Sequence, residues 1–600
     1  MDSCQAARKR YEKLKSAKKR QEKIDWERFW VGGCDHSNVW KYIRTLAGQS
    51  KGGTCLCSME VQKEHYRTCG EIIENPDFDS EEGNAADAWL QEFMQSERGC
   101  LGVGGFTSAQ VKAALKRTRE CAPGIDGVSR RWVLPLRQSL VPLLVVIFSF
   151  IYAHGVTIDA WELAIIASVK KSGPSLTDMS NQRGVHILQF FRQVYTSLLI
   201  PELDELSRRV VPDCQQGFVR GGFIGASYLA LHSMVERARL REERLYTAFV
   251  DVRRAFPSVH RALLLRKLDK QGASDSLLRA LASLYKVTTG SVRSSEGLSE
   301  IFELHLGTRE GGVESPLLYV LFVADLIEFL EEVEPLDGNV LLDGKATPAL
   351  QFADDLVLIA NSERDLNRLL ARWGKYCDRS HQATQTKKTV VVVFTSEDDG
   401  TLRLDVTTGR IRDGRRRTMV FKYKKTDIAV SDVFDYLGVR SHWREGPGAA
   451  CRERDLKGTK AMGAVSGTLR WVPHLPFART VMVGESMVGG AYLYSSDLWA
   501  AYVDQRQQGI GPKYLLWLLG FGKARAARTV GWLSIRDLDL KGAAAVVRML
   551  TCSVSGNASL VPDDEKPVNS LLRRAVRQMC ENRESTRGWF RSPRFLLCVR

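Results

Sequence analysis

Asp354 and Asp355 are adjacent carboxylates set between two apolar, β-forming arms, Ala349-Leu-Gln-Phe352 and Leu356-Val-Leu-Ile-Ala360. The pattern predicts a strand, a tight turn carrying the acids, and a second strand. Carboxylates are poor strand residues and two side by side repel, so the position calls for positive charge. A hard divalent cation bound through oxygen answers that need. A ligand-free Asp-rich hairpin turn is the plain alternative, and the pair alone does not separate the two. Upstream, Leu245-Tyr-Thr-Ala-Phe-Val250 is another β-type run, and it ends on Asp251. A strand delivering one carboxylate beside a hairpin delivering two makes the three-carboxylate site that two-metal phosphoryl transfer requires. There, one Mg²⁺ lowers the pKa of an attacking hydroxyl and a second holds a triphosphate and neutralises the leaving group.

Phe352-Ala-Asp-Asp355 resembles the catalytic signature of reverse transcriptases, in the form used by non-LTR (LINE-type) retrotransposons. Asp251-Val-Arg-Arg-Ala-Phe-Pro-Ser-Val259 resembles the preceding palm motif, with Pro257 where the family usually has an acid. Further landmarks follow in the family's order over roughly residues 107–550. They are Pro123-Gly-Ile-Asp-Gly127, the set Lys171, Gly173, Asn181, Arg183 and Gly184, and Gln215-Gln-Gly-Phe218. Gly307 to Leu318 resembles an Arg-Gln-Gly…Ser-Pro-Leu-Leu element but carries Glu310 in place of Gln. Gln385-Thr-Lys-Lys-Thr389 resembles Asn-x-x-Lys-Thr, with Gln385 replacing Asn, and Tyr436-Leu-Gly-Val439 is similar to the primer grip. Residues 491–499 resemble a segment found beyond the palm in LINE-type proteins.

The resemblance implies an α+β right hand: fingers, an antiparallel palm sheet, a thumb and a helical C-terminal extension. It divides the chain into an N-terminal basic and helical extension and linker (1–100), fingers and palm (101–455), and thumb with extension (456–600). It implies an RNA-directed DNA polymerase adding dNTPs to a DNA primer 3′-hydroxyl on an RNA template, with two Mg²⁺ ions (Mn²⁺ as substitute). Asp251, Asp354, Asp355 and the Val252 carbonyl are the implied metal ligands. Lys171, Arg183, Phe256, Gly311 and Lys388 are the implied nucleotide contacts, with Phe256 excluding a 2′-hydroxyl and Lys388 near the pyrophosphate. Lys170 competes with Lys171 for its role. Ser315, Pro316, Tyr436, Leu437 and Gly438 are the implied nucleic-acid contacts. Two rivals stay open: an inactive RNA-binding scaffold, which Pro257, Glu310 and Gln385 keep alive, and a group II intron maturase. Nuclear localisation, with cytoplasmic assembly on RNA, is expected. LINE-type elements also carry a nicking endonuclease; neither kind is recognised here, and a partial element is expected.

The elements that must position these residues are legible in part. A capping box at Thr107-Ser-Ala-Gln110 opens a helix to about 119, and another is expected over 226–241. The apolar run 140–153, interrupted by Pro142, predicts a buried helix too short to span a bilayer, so no membrane partner is expected. Residues 362–376 place Leu366, Leu369, Leu370 and Trp373 on one helical face, and 385–394 read as a strand. Residues 71–87 read as an acidic surface loop, 99–105 as a domain boundary, and 403–425 as a basic hairpin around Asp413-Gly414 facing a duplex backbone.

Six hundred residues exceed one compact core, and 44% hydrophobic with 26% charged residues is a globular composition. A formal charge of +16 suits a polyanionic partner. Residues 7–23 are dense in Lys and Arg, either a solvated helix face or a nucleic-acid or nuclear-localisation segment, and no secretory h-region follows. Thirteen scattered cysteines read as reduced thiols. Cys55, Cys57, His65 and Cys69 form a C-x-C-x7-H-x3-C set that departs from standard zinc spacings.

Overall fold

The computed structural model describes residues 55–469 with short breaks, the longest at 99–104, 172–176 and 333–339, and a few positions between 487 and 494. The basic segment 7–23 and the C-terminal region beyond 494 lie outside the described residues. The chain divides into two compact units, Thr54–Leu456 with Tyr492–Arg600, and Met1–Gly53 with Lys457–Ala491. Of the second, what is described is chiefly the end of the helix Gly448–Leu469.

In the first unit, strands β1 (Leu163–Lys170) and β2 (Gln182–Ile187) form an antiparallel hairpin. Helices Phe190–Val210 and Ile224–Leu240 then lead into β3 (Leu245–Asp251). β4 (Thr289–Ser294) returns beside β1 in parallel, and the short β5 (Gly297–Leu298) and β6 (Phe302–Glu303) complete a five-stranded outer sheet. A two-stranded ladder, β7 (Leu341–Leu342) and β8 (Lys345–Ala346), precedes β9 (Ala349–Phe352) and β10 (Asp355–Ala360). After the helix Glu363–Ser380 come β11 (Val390–Phe394), β12 (Leu402–Asp405), β13 (Arg410–Asp413) and β14 (Arg417–Met419). They are followed by β15 (Phe421–Tyr423), β16 (Thr426–Val430), β17 (Val433–Tyr436) and β18 (Val439–His442).

The central sheet has the order β15-β16-β11-β3-β10-β9. β3 is buried from Leu245 to Val250, because it is paired on both edges and covered by helices. A strand enclosed on both faces needs a continuous apolar run, which its sequence supplies. Leu366, Leu369, Leu370 and Trp373 of the helix Glu363–Ser380 are all buried, as their spacing predicts, and Ser362 caps its first turn. The Thr107 capping box is formed, opening the helix Ser108–Arg117.

Four expectations need correction. The helix Arg137–His154 buries only the stripe Val141, Leu144, Phe148 and Ile151; Leu143, Val146 and Phe150 on its other faces are exposed. It is long and apolar enough to cross a membrane by length and composition alone. The acidic stretch 71–87 is not all loop: Asp79 caps a helix Ser80–Gln95, whose Gly83, Ala86 and Phe93 are buried. The strand expected over 385–394 begins only at Val390, since 385–389 turns back on itself through Lys388 and Thr389 amides donating to the Gln385 carbonyl. The basic hairpin is a three-stranded sheet, β12-β13-β14.

Candidate active site

β3 and β10 run antiparallel with Asp251 directly opposite Asp355, which sets their Cα atoms about 4.5–5.5 Å apart. Asp354 is the second residue of the two-residue turn joining β9 to β10, where Phe352 pairs with Asp355. The first, Ala353, has φ +59°, a left-handed conformation that side chains rarely adopt. What holds it is the segment around Gln215. Gln215 Oε1 accepts the amides of Ala353 (2.9 Å) and Gly217 (2.8 Å). The backbone of 214–216 runs beside β9, exchanging hydrogen bonds with Gln351. Gly217 is required there, because a Cβ would stand 2.4 Å from the Ala353 nitrogen.

Asp354 and Asp355 are open to solvent on one side but crowded by protein on the others. Burial raises all three carboxyls above the ordinary carboxylate range, and Asp355, with Asp354 and Asp251 adding repulsion, is pushed up to about 6. Crowded hard-oxygen donors that resist ionising together are the donor chemistry Mg²⁺ takes. Among the described residues, no three His, Cys, Asp or Glu side chains converge closely enough to hold a metal ion as they stand.

Positive groups ring the carboxylates. Lys388 and Lys171 oppose the upward shift of Asp251, and Arg183 that of Asp354. Lys171 belongs to this cluster, its ammonium pKa lowered by burial and by the neighbouring charges of Lys388, Arg183 and Arg254. Lys388 is delivered by the 385–389 turn. The Gln385 amide donates to the Asp251 carbonyl (2.8 Å) and the Asp251 amide to Thr389 Oγ1 (3.2 Å). Val252 is next to this clamp, bridged to Thr384.

Glu310 enters the same cluster. Burial, with Asp354 adding, pushes its carboxyl up to about 7 against the pull of Arg183 and Lys171. Its carbonyl accepts the His186 amide of β2 (2.6 Å). Gly311 follows with φ +119°, and a Cβ there would meet the His186 oxygen at 2.4 Å, so only glycine lets this loop seat against β2. Behind it, Ser315 Oγ donates to the Arg309 carbonyl (2.7 Å), and Pro316 lies in the first turn of the helix Ser315–Phe322. Fully buried Glu314 accepts from Arg192 Nη2 (2.9 Å) and from Tyr285 OH (3.1 Å).

Phe256 is half-buried, its ring 4.9 Å from that of Tyr319. Burial raises the Tyr319 hydroxyl pKa, and the nearby charges of Asp354 and Asp355 add to that rise. Tyr436 is buried within reach of the Asp355 charge and lies 5.7 Å, ring to ring, from Phe249 of β3. Leu437 (φ +50°) and Gly438 (φ +79°) form the two-residue β17–β18 turn, the left-handed pair that twisted hairpins favour. Tyr494 OH donates to the Leu437 carbonyl (3.1 Å), and Arg454 donates to the Gly438 carbonyl.

The structure thus gathers Asp251, Asp354, Asp355, Lys171, Arg183 and Lys388 into one electrostatic cluster. Phe256 and Tyr436 border it, while Ser315, Pro316, Leu437 and Gly438 sit one layer away. The sequence marks Glu310 as a departure from the family motif without showing its coupling to Asp354, and it gives no role to Tyr319, Thr389 or Gln215, although Thr389 and Gln215 stand in the Gln385–Thr389 and Gln-x-Gly-Phe motifs. The cysteine set has other neighbours. Cys55 Sγ contacts Met179 Sδ (3.5 Å), Cys57 Sγ the Thr177 carbonyl (3.0 Å), and His65 lies near Arg254, Lys171 and Asp178.

Residues 169–441 match the sequence family described as reverse transcriptase (RNA-dependent DNA polymerase). A probable RNA-directed DNA polymerase from transposon BS of Drosophila melanogaster is 24% identical over 289 residues, 46% of this chain and 30% of that protein. A Pol polyprotein from the type-1 retrotransposable element R2 of Popillia japonica is 22% identical, over 47% of this chain and 38% of that protein. The RNA-directed DNA polymerase from the mobile element jockey of Drosophila melanogaster is 25% identical, over 46% and 30%. The chain thus spans about a third of the length of these curated relatives. A telomerase structure from Candida albicans overlaps at TM-score 0.32 and 9% identity, covering 71% of this chain and 63% of that one, and carries no weight.

Proposed function

We propose that this chain extends a DNA primer by copying an RNA template, a reading supported by the match of residues 169–441 to the reverse transcriptase family and by the similarity to RNA-directed DNA polymerases of mobile elements. The observation that carries the proposal is the opposition of Asp251 to Asp355, with Asp354 in the adjoining turn and Lys171, Arg183 and Lys388 facing them. Asp251, Asp354, Asp355 and the Val252 carbonyl would hold two Mg²⁺ ions, with Mn²⁺ as a substitute. When bound, the ions neutralise the triphosphate and lower the pKa of the primer hydroxyl.

The chain's own residues do the rest. Arg183 binds phosphate through a guanidinium fork, and Lys171 and Lys388 bind as point charges. Lys388, beside Asp251, is placed to protonate the leaving pyrophosphate. Phe256, braced by Tyr319, is the wall against a 2′-hydroxyl. The Ser315-Pro316 helix start supports template and base, and the Tyr436-Leu437-Gly438 hairpin holds the primer end. We take 101–455 as fingers and palm, 456–600 as thumb and extension, and the nucleus as the place of action.

The test is primer extension on a heteropolymeric RNA template with Mg²⁺, comparing wild type with Asp354→Ala. Extension by wild type that vanishes in the variant supports the reading. Wild type that binds primer-template but adds nothing with Mg²⁺ or Mn²⁺ overturns it and leaves an RNA-binding scaffold.

A further inference from the structure

The β12-β13-β14 sheet lies at the end of β3 remote from the carboxylates. Arg244, the residue before β3, clasps it there, bonding Asp399 (2.8 Å), Asp413 (3.0 Å) and Thr401 Oγ1 (2.6 Å). The Arg444 guanidinium adds bonds to the carbonyls of Asp399 (3.1 Å) and Leu402 (3.3 Å). With β3 running Leu245–Asp251, the sheet stands about 20 Å from the catalytic carboxylates. Ion pairs and hydrogen bonds thus tie this small sheet to the end of β3 at a distance from the chemistry.

Its two faces differ. Leu402, Ile411 and Met419 are buried on one side. Strand alternation puts Arg403, Asp405, Arg410 and Arg412 on the other, all exposed. Arg403 stands directly opposite Arg412. Like charges in that position destabilise a sheet. Asp405, the acid on this face, is turned to its own hairpin, where it accepts the amides of Thr407 (3.0 Å) and Thr408 (3.2 Å). Facing guanidiniums that fold stability disfavours are explained if a polyanion brings them together. The described residues of this face include no aromatic side chain to stack on bases, so what it reads is backbone charge.

We propose that the Arg403–Arg412 face binds the phosphodiester backbone of nucleic acid outside the catalytic cleft, in a sequence-independent manner. The inference rests on the polymerase reading for the class of partner; the geometry of the face stands apart from it.

The test uses the full chain and a double variant, Arg403→Thr with Arg412→Thr, beside a charge-keeping pair, Arg403→Lys with Arg412→Lys. Binding is followed by fluorescence anisotropy across a salt series, with a tailed RNA template-primer, and with RNA and DNA competitors to separate the two backbones. Each phosphate contact adds about 0.7–0.9 to the slope of log K against log salt. Loss of both should lower the slope by about 1.5, while the lysine pair retains it. The melting temperature of the threonine variant should hold or rise, because a repulsion is removed; a merely structural role would lower it. Addition of one nucleotide to a minimal hybrid confined to the cleft should be unchanged. An unaltered salt slope in the threonine variant overturns the proposal, and so does an equal loss of binding on the minimal hybrid. If no variant or wild type adds nucleotides but the slope still falls, this site stands and the polymerase reading fails.

Discussion

Gln215 holds Ala353 by accepting its amide at 2.9 Å, and the same oxygen takes the amide of Gly217. One side-chain oxygen therefore fixes the turn that presents Asp354. Gln215→Leu should leave two buried donors unmet, costing about 1–3 kcal/mol of stability. Because Ala353 is in an unfavourable conformation, the turn should relax and carry Asp354 with it. The expected kinetic signature is a fall in kcat larger than any rise in KM for dNTP. Gln215→Glu, which keeps the acceptor, should recover most of the thermal stability measured by calorimetry.

Asp355 ties pH to stability. Its pKa of about 6 in the folded protein lies above the ordinary carboxylate value, so the folded state binds more protons between about pH 4 and 6. Stability from this group is present at low pH and is lost as pH rises through about 6. Asp355→Asn should melt above wild type at pH 8 without divalent ions, and level with it near pH 4. The same variant should lose extension activity. A lower melting temperature at pH 8 would contradict the repulsion described at the site.

Glu310 sits where the resemblance leads one to expect a glutamine, and its carboxyl titrates near 7. Below that pH it is neutral; above it, under the proposed function, its charge would oppose an incoming triphosphate. KM for dNTP in wild type should therefore rise as pH increases from about 6 to 8. Glu310→Gln should flatten that profile and lower KM at pH 8 by about tenfold, the order expected for one charge several ångströms away. Steady-state kinetics at three pH values decides it.

Arg192 and Glu314 form an ion pair with no solvent exposure, joining the helix Phe190–Val210 to the start of the helix Ser315–Phe322. Arg192→Met alone strands a buried carboxylate and should cost about 3–5 kcal/mol. Arg192→Met with Glu314→Leu should recover much of that loss. A double variant as unstable as the single one would show that other buried partners dominate.

How far the sequence led can be judged from particular residues. Asp251, Asp354 and Asp355 were legible because a carboxylate at the end of an apolar strand has little structural reason to be there. Leu366, Leu369, Leu370 and Trp373 were legible because helical spacing and burial agree. Thr389 and Tyr319 were not, since their value comes from partners distant in sequence, Asp251 of β3 for Thr389 and the Asp354-Asp355 turn for Tyr319. The run 385–394 was misread because its valines carry the strand signal while Gln385 to Thr389 is bent by bonds to Asp251. The apolar run 140–153 overstated burial because composition does not say which faces have neighbours. Glu310 was visible only as a departure, and its coupling to Asp354 needed coordinates.

The pairing of β3 has a kinetic side. Both of its neighbours, β10 and β11, come later in the chain, so during synthesis the strand emerges with two bare edges. Those edges are not both closed until Phe394 is made, roughly seven to thirty seconds later at ordinary elongation rates. An apolar strand left open on both sides is a template for mispairing. Fragments ending before Phe394 should aggregate rather than fold, and the protein should depend on chaperones through that interval of its own synthesis.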